Sequence, residues 1–213
     1  VAGQLTTLRV KASDCYGNPQ DVGGDLFAVT LTRTPQKVYG AFADNNDGSY
    51  LITYNLTTRG QWLLHVKTSG VQIEGSPFTV TALPGATDPA SSFATGPGLS
   101  KAFTGEDSMF IVRTKDAYGN DKASGGDNVT ATLTQAGTSE VVHANVTDTG
   151  EGSYSVRYKL LLTDGKDYRL NVEVNHGDLL GSPFAVKALA GPMACAETLS
   201  TNLPPCVVGT VAE

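Results

Sequence analysis

A twelve-residue stretch occurs twice in this chain with the same spacing between its outer aspartates: DCYGNPQDVGGD over 14–25 and DAYGNDKASGGD over 116–127. From these anchors the two halves align outward. Residues 3–31 match 105–133 without gaps, and Asp47-Gly48-Ser49-Tyr50 falls on Glu151-Gly152-Ser153-Tyr154. Tyr54 falls on Tyr158, Trp62 on Tyr168, and Gly75-Ser76-Pro77-Phe78 on Gly181-Ser182-Pro183-Phe184. The repeat of about 102 to 106 residues is too long for a solenoid unit and is the size of one immunoglobulin-like domain.

Within each copy the apolar residues recur with a period of two. Leu8, Val10 and Ala12 alternate with polar neighbours, as do Tyr50, Ile52 and Tyr54, and Trp62, Leu64 and Val66. The second copy repeats this with Phe110 and Val112, with Val129, Ala131 and Leu133, and with Leu170, Val172 and Val174. Each run is short and bounded by Gly, Asn, Asp or Pro, and no segment sustains a 3.6-residue pattern. The expected fold class is therefore all-β: tandem immunoglobulin-like antiparallel β-sandwiches. Tyr-Gly-Asn, Gly-Gly-Asp and Asp-Gly-Ser read as turns whose glycines serve backbone geometry. Gly-Ser-Pro places a proline at the start of the last strand, where its missing N–H does least harm.

The expected units are 1–84, a repeat without its first strand; 85–188, a second repeat; and 189–213, the start of a third repeat or a tail. Ala82-Leu83-Pro84-Gly85 is the joint, short enough to hold the units end to end with limited freedom. Residues 91–94 are the expected first strand of the second copy. Ala188-Leu189-Ala190-Gly191 echoes the joint, and residues 200–205 fall where a further first strand and turn would lie. A chain with a spare strand of this kind could complete another copy by strand exchange. The opening VAGQLTTLRV is already strand-like and shows no leader pattern, as expected for a piece of a longer array.

Composition narrows the function classes. The net charge of −6 opposes a general nucleic-acid binder, which needs a basic surface. No apolar run reaches the roughly 20 residues that span a bilayer, so direct membrane insertion is not expected. His65, His143 and His176 have no ligand neighbours at metal spacing, and no nucleophile turn or phosphate loop is present. Asp44-Asn45-Asn46-Asp47-Gly48 has calcium-loop residues but not the EF-hand spacing, and reads as a turn. No enzyme activity, cofactor or metal is expected.

The ordered set D-x-Y-G-N, G-G-D, D-G-S-Y and G-S-P-F, with Gly96-Pro97-Gly98-Leu99 opening the second copy, resembles the filamin-type immunoglobulin repeat over nearly all of residues 1–188. The resemblance implies a seven-stranded sandwich, strands A to G, and a non-enzymatic role as rod segment or interaction module. It also implies protein partners that add as an extra strand between strands C and D. Strand C would be about 27–33 and 128–134, and strand D about 38–43 and 141–146. The family occurs in cytoplasmic actin-crosslinking rods and in ectodomains, including gamete-adhesion proteins of plants and green algae. Both settings are open here: an extracellular or cell-surface adhesion protein, or a cytoskeletal or ciliary scaffold.

Candidate sites bear on that choice. Asn55, Asn128 and Asn145 each begin an N-glycosylation sequon and point outward by the alternation. Cys195 and Cys206 are close enough in sequence to close a small loop, which would mark an oxidising compartment; the alternative is three free thiols with Cys15. Sugar on Asn128 and Asn145 would crowd strands C and D of the second copy. The candidate strand-addition site is therefore Val38, Tyr39 and Ala41 of the first.

Overall fold

The computed structural model describes residues 1–135, 137–161 and 167–191. Cys195, Cys206 and the expected start of a third repeat lie beyond residue 191, outside the described residues. The first unit runs β1 (Leu5–Lys11), β2 (Phe27–Arg33), β3 (Gln36–Tyr39), β4 (Ala41–Asp44), β5 (Ser49–Asn55), β6 (Gly60–Thr68), β7 (Val71–Gln72) and β8 (Phe78–Ala82). The second runs β9 (Phe93–Thr95), β10 (Lys101–Phe103), β11 (Asp107–Arg113), β12 (Val129–Gln135), β13 (Val141–His143) and β14 (Asn145–Asp148). It closes with β15 (Ser153–Lys159), β16 (Asp167–Val174), β17 (Gly177–Asp178) and β18 (Phe184–Leu189).

Each unit is the expected sandwich of two sheets. In the first, β1-β5-β4 faces β3-β2-β6-β8, with β7 also on β6; in the second, β9-β11-β15-β14 faces β13-β12-β16-β18-β10, with β17 on β16. The alternating residues fill the space between them. Leu31, Ile52, Trp62, Leu64 and Val66 are buried in one core, and Phe110, Leu133, Val156, Leu170 and Val172 in the other.

The motifs that recur in sequence are tied to one another in space. The Gly24 amide donates to Asp44 Oδ2 at 2.7 Å, and the Asp25 amide donates to the buried Tyr50 hydroxyl at 3.0 Å. The second unit repeats both bonds, Gly126 to Asp148 at 2.8 Å and Asp127 to the Tyr154 hydroxyl at 2.8 Å. A Cβ on Gly125 would stand 2.1 Å from the Asp148 carboxylate, so a side chain there would have to displace that carboxylate from the Gly126 amide. In Gly-Ser-Pro the serine hydroxyl accepts an amide of β6 or β16: Val66 donates to Ser76 at 3.0 Å and Val172 to Ser182 at 2.9 Å.

Two expectations are corrected. Strand D is two strands in different sheets: β3 pairs with β2, whereas β4 pairs with β5. The chain crosses at Gly40, whose amide donates to the Val29 carbonyl at 3.1 Å and where a Cβ would lie 2.6 Å from Val29 Cγ1. Ala144, donating to Ala131 at 2.9 Å, marks the same crossing in the second unit. Alternation alone hides the switch, because a strand that changes sheets in a sandwich can keep the same residues facing the core. Likewise the first strand of the second copy is a 3-10 turn at Pro89–Ser91, then β9 on β11, then a separate β10 parallel to β18.

The Tyr158 hydroxyl donates to the Gly98 carbonyl and so holds the segment between β9 and β10. Burial pushes this phenol from 10.0 up to about 12. Its neutral form is favoured in the fold, so the stability it contributes is complete below pH 10 and is lost as pH rises through about 12. Alkaline titration followed by circular dichroism should therefore weaken the second unit in that window, and Tyr158→Phe should reduce that sensitivity.

Candidate functional site

Two features of the surface can do molecular work: the joint between the units and the strand edges left free. The joint is built on the loop 116–122. Asp116 is 1% exposed although it is a carboxylate. Its Oδ1 accepts the amides of Tyr118 and Asn120, each at 2.9 Å, and its Oδ2 accepts the Gly85 amide from the connecting segment at 2.7 Å. The Asn120 side chain donates to it as well, at 2.8 Å. Burial works against the ionised form of Asp116. The donors of Asn120, Gly85 and Tyr118 outweigh it and hold the carboxyl below its usual range.

Asn120 then reaches the first unit. Its amide donates to the Thr57 carbonyl at 2.8 Å, and its Oδ1 accepts the Arg59 amide at 2.9 Å. The Arg59 guanidinium donates to the Asp121 carbonyl at 2.5 Å, and Lys122 Nζ to the Gly85 carbonyl at 2.7 Å. Trp62 supports the turn from inside its core, with Nε1 donating to the Thr58 carbonyl at 3.0 Å. Tyr118 lies so close over Gly3 that a Cβ there would fall 2.2 Å from its ring. The equivalent loop of the first unit has the same internal bonds: Asp14 Oδ1 accepts the Tyr16 and Asn18 amides, each at 2.9 Å. It is exposed and covered by nothing among the described residues, and Tyr16 is 87% exposed.

The free edge expected to receive a strand is β3. Of its candidate residues, Tyr39 projects outward, 72% exposed, with Lys37 Nζ 4.9 Å from its ring centre. Val38 packs against the core. Ala41 is exposed but belongs to β4 in the opposite sheet, opposite Thr53, so the three residues do not form one edge. Asn55, Asn128 and Asn145 are all exposed. Asn128 lies just before β12, and Asn145 begins β14 opposite Arg157; neither is on β13, the outer strand of its sheet. Cys15 is exposed and has no disulfide partner among the described residues. His65 bridges Thr32 at 3.1 Å and Gln72 at 2.9 Å across the sheet face. Among the described residues no group of His, Cys, Asp and Glu could hold a metal, and no helix is long and apolar enough to cross a membrane.

The repeated aspartate loops are turns, as their residues imply, but the turn pattern does not reveal that the loop 116–122 also builds the joint. A signal was present: Asp and Asn stand at the first and fifth positions of both loops, and the second loop follows the joint at 82–85.

The Filamin/ABP280 repeat model matches residues 1–79 and 86–185. Filamin-A of Drosophila melanogaster is 34% identical over 145 residues, 68% of this chain and 6% of that protein. Filamin-C of Mus musculus is 31% identical over 164 residues, 77% of this chain and 6% of that protein. The chain thus spans about 6% of the length of these curated relatives. The Escherichia coli adhesin FdeC is similar in structure, with TM-score 0.63 and 22% identity, over 89% of this chain and 60% of that one. InvD of Yersinia pseudotuberculosis matches at TM-score 0.54 and 18% identity, over 92% of this chain and 56% of that one. These two likenesses concern the fold.

Asp116→Ala removes the acceptor of several enclosed donors and should destabilise the pair by about 2–3 kcal/mol, against under about 1 kcal/mol for Asp14→Ala on the exposed loop. Denaturant unfolding measures both, and small-angle scattering should show a wider spread of inter-unit distances for Asp116→Ala alone. Because the folded carboxyl lies below its unfolded value of 3.8, the contribution of Asp116 is complete above that value and is lost as pH falls through the folded one.

Proposed function

The chain belongs to the filamin repeat family, and from that premise we infer that it is a non-enzymatic interaction module from a cell-surface or extracellular adhesion or assembly protein. The observation that carries the reading is the joint: Asp116 and Asn120 lock two sandwiches into a stiff pair that holds the β3 edge in a set direction. A stiff pair keeps the entropy cost of presenting a binding edge low.

Partners are proteins, received as an added strand along β3, whose outer backbone groups are unpaired among the described residues. Tyr39 supplies an exposed aromatic surface beside that edge, and the ammonium of Lys37 discourages indiscriminate pairing. Asn128 and Asn145 flank the corresponding region of the second unit, so glycans there would leave the first unit as the receiver. The exposure of all three sequon asparagines supports the extracellular setting. The alternative is a cytoplasmic or ciliary filament scaffold, in which Cys15, exposed and without a disulfide partner among the described residues, would be a reduced thiol.

Mass mapping of residues 1–213 in the natural protein, before and after glycosidase and with and without reductant, separates the two settings. Loss of sugar mass and a Cys195–Cys206 bridge are expected; a homogeneous mass with three reduced thiols would defeat the extracellular reading. For the edge, extended peptides selected from a display library should bind about tenfold more weakly to Tyr39→Asp and equally well to Ala41→Glu, which lies in the other sheet. Equal loss in both variants would remove β3 from the proposal.

A further inference from the structure

The outer face of β3-β2-β6 gathers cationic groups into one depression. A cavity of about 260 Å³ opens on this face, lined by Ala28, Thr30, Thr32, Lys37, His65 and Lys67. Strand register places them. Ala28, Thr30 and Thr32 follow one another along the same side of β2. Lys67 and His65 of β6 stand opposite Ala28 and Thr30, and Lys37 of β3 stands opposite Thr32. The two lysines therefore come from the strands on either side of β2. The Lys37 ammonium lies 4.9 Å from the ring centre of Tyr39, whose partner on β2 is Thr30, so it leans along β3 toward the register of Thr30.

No carboxylate lines this cavity. Among the described residues the ion pairs are Arg9 with Asp47 and Lys115 with Asp121, so neither Lys37 nor Lys67 has an acidic partner. The chain as a whole carries a net charge of −6. Two unpaired ammoniums beside one cavity repel each other, and an anion between them turns that repulsion into attraction.

A chain of hydrogen bonds aims a hydroxyl at the same place. The Val66 amide donates to the Ser76 hydroxyl oxygen at 3.0 Å, so the Ser76 proton is free to go on to Gln72 Oε1, at 2.6 Å. Gln72 thereby turns its NH2 group to His65, donating to Nδ1 at 2.9 Å. With Nδ1 an acceptor, the imidazole proton sits on Nε2 and is donated to Thr32 Oγ1 at 3.1 Å. Thr32 accepts that bond, and its own proton is left for an acceptor in the cavity. One backbone amide thus sets the direction of every bond as far as Thr32. Thr30 adds a second hydroxyl beside it.

The second unit has the same strands without these groups. Opposite Thr134, where Lys37 would stand, is Val141. Asn171 replaces His65 opposite Thr132, and Glu173 replaces Lys67 opposite Thr130. Asp178 takes the place of Gln72 opposite Glu173. The serine bond to the strand amide is kept, from Val172 to Ser182 at 2.9 Å, but the relay beyond it is lost. The cations and the directed hydroxyl are thus additions to the first unit and not requirements of the sandwich.

We propose that this face of the first unit binds a tetrahedral oxyanion, a sulfate or phosphate group carried as an ester on its ligand. Such a group has several acceptor oxygens pointing in different directions. It can meet two ammoniums from opposite sides and the Thr32 hydroxyl from below, whereas a carboxylate offers two oxygens in one plane. Lysine suits this role as a compact charge that needs no planar partner. The cavity opens outward, so the rest of the ligand remains in solvent. The proposal does not depend on strand addition at β3 or on the cellular setting.

Amide chemical-shift titration of the isotope-labelled polypeptide of residues 1–213 tests it, with ionic strength held constant by sodium chloride so that general screening is the same throughout. The probes are inorganic sulfate, inorganic phosphate, methyl sulfate and methyl phosphate. Saturable shifts are expected at Thr30, Thr32, Lys37, His65 and Lys67, with a Kd of about 1 mM, and none at Thr132, Asn171 and Glu173. The tighter of the two esters identifies the source of the group. Lys37→Gln and Lys67→Gln should each weaken binding about tenfold, and Thr32→Val about threefold. All three substitutions are on the outer face of the sheet, and the unshifted core amides report that the fold is kept. Shifts that do not saturate, equal shifts in the second unit, an unchanged midpoint in any of the three variants, or binding of the inorganic ions with failure of both esters overturns the proposal.

Discussion

A buried carboxylate that accepts several hydrogen bonds is the constraint on which the two-unit arrangement rests. Asp116 gathers the amides of its own loop and the Gly85 amide of the connecting segment. Ionised and enclosed, it would be costly without those donors, and with them it resists protonation. Asn120, fixed by the same carboxylate, has its remaining polar atoms free to grip Thr57 and Arg59. Local loop geometry and the relation between units are thereby one network, so a change at Asp116 acts on both.

The first copy of the motif shows how context changes the meaning of the same residues. Asp14 and Asn18 form the same turn with the same internal bonds, yet they stand in solvent. The turn is a property of the local sequence, because an aspartate can satisfy amides two and four residues ahead in any surroundings. Its use as a clamp requires a preceding unit whose Trp62-supported turn arrives at the right place. The same contrast separates the edge of β11, covered by β9, from that of β1, which no described residue covers.

Sheet switching governs which surfaces can meet a partner. Because the chain crosses at Gly40, β3 and β4 present their backbones on different sheets, and only β3 extends the face that contains β2 and β6. Tyr39 and Ala41 are two residues apart and both exposed, yet they serve different surfaces. The same crossing sets Asn145 on β14, beside the receiving region of the second unit and not on its outer strand.

Much of this was legible in the residues. Period-two alternation identified the runs that became strands, since burial on one side of a pleated strand selects every second residue. The paired motifs identified the tandem repeat, and the positive φ of Gly24 and Gly126 in Gly-Gly-Asp is the backbone geometry that its glycines imply. Less was legible where two distant segments meet. The division of strand D, the parallel pairing of β10 with β18 and the joint at Asp116 all depend on contacts between residues far apart in the chain. Alternation reports which side of a strand is buried and carries no label for the sheet it joins or the edge it leaves free. By itself the sequence determined the repeat, the sandwich and its turns, because these follow from local pattern and backbone geometry. Only the tertiary structure decided which loop is a clamp, which edge is open and which exposed residues share a face, because those are properties of neighbours brought together by folding.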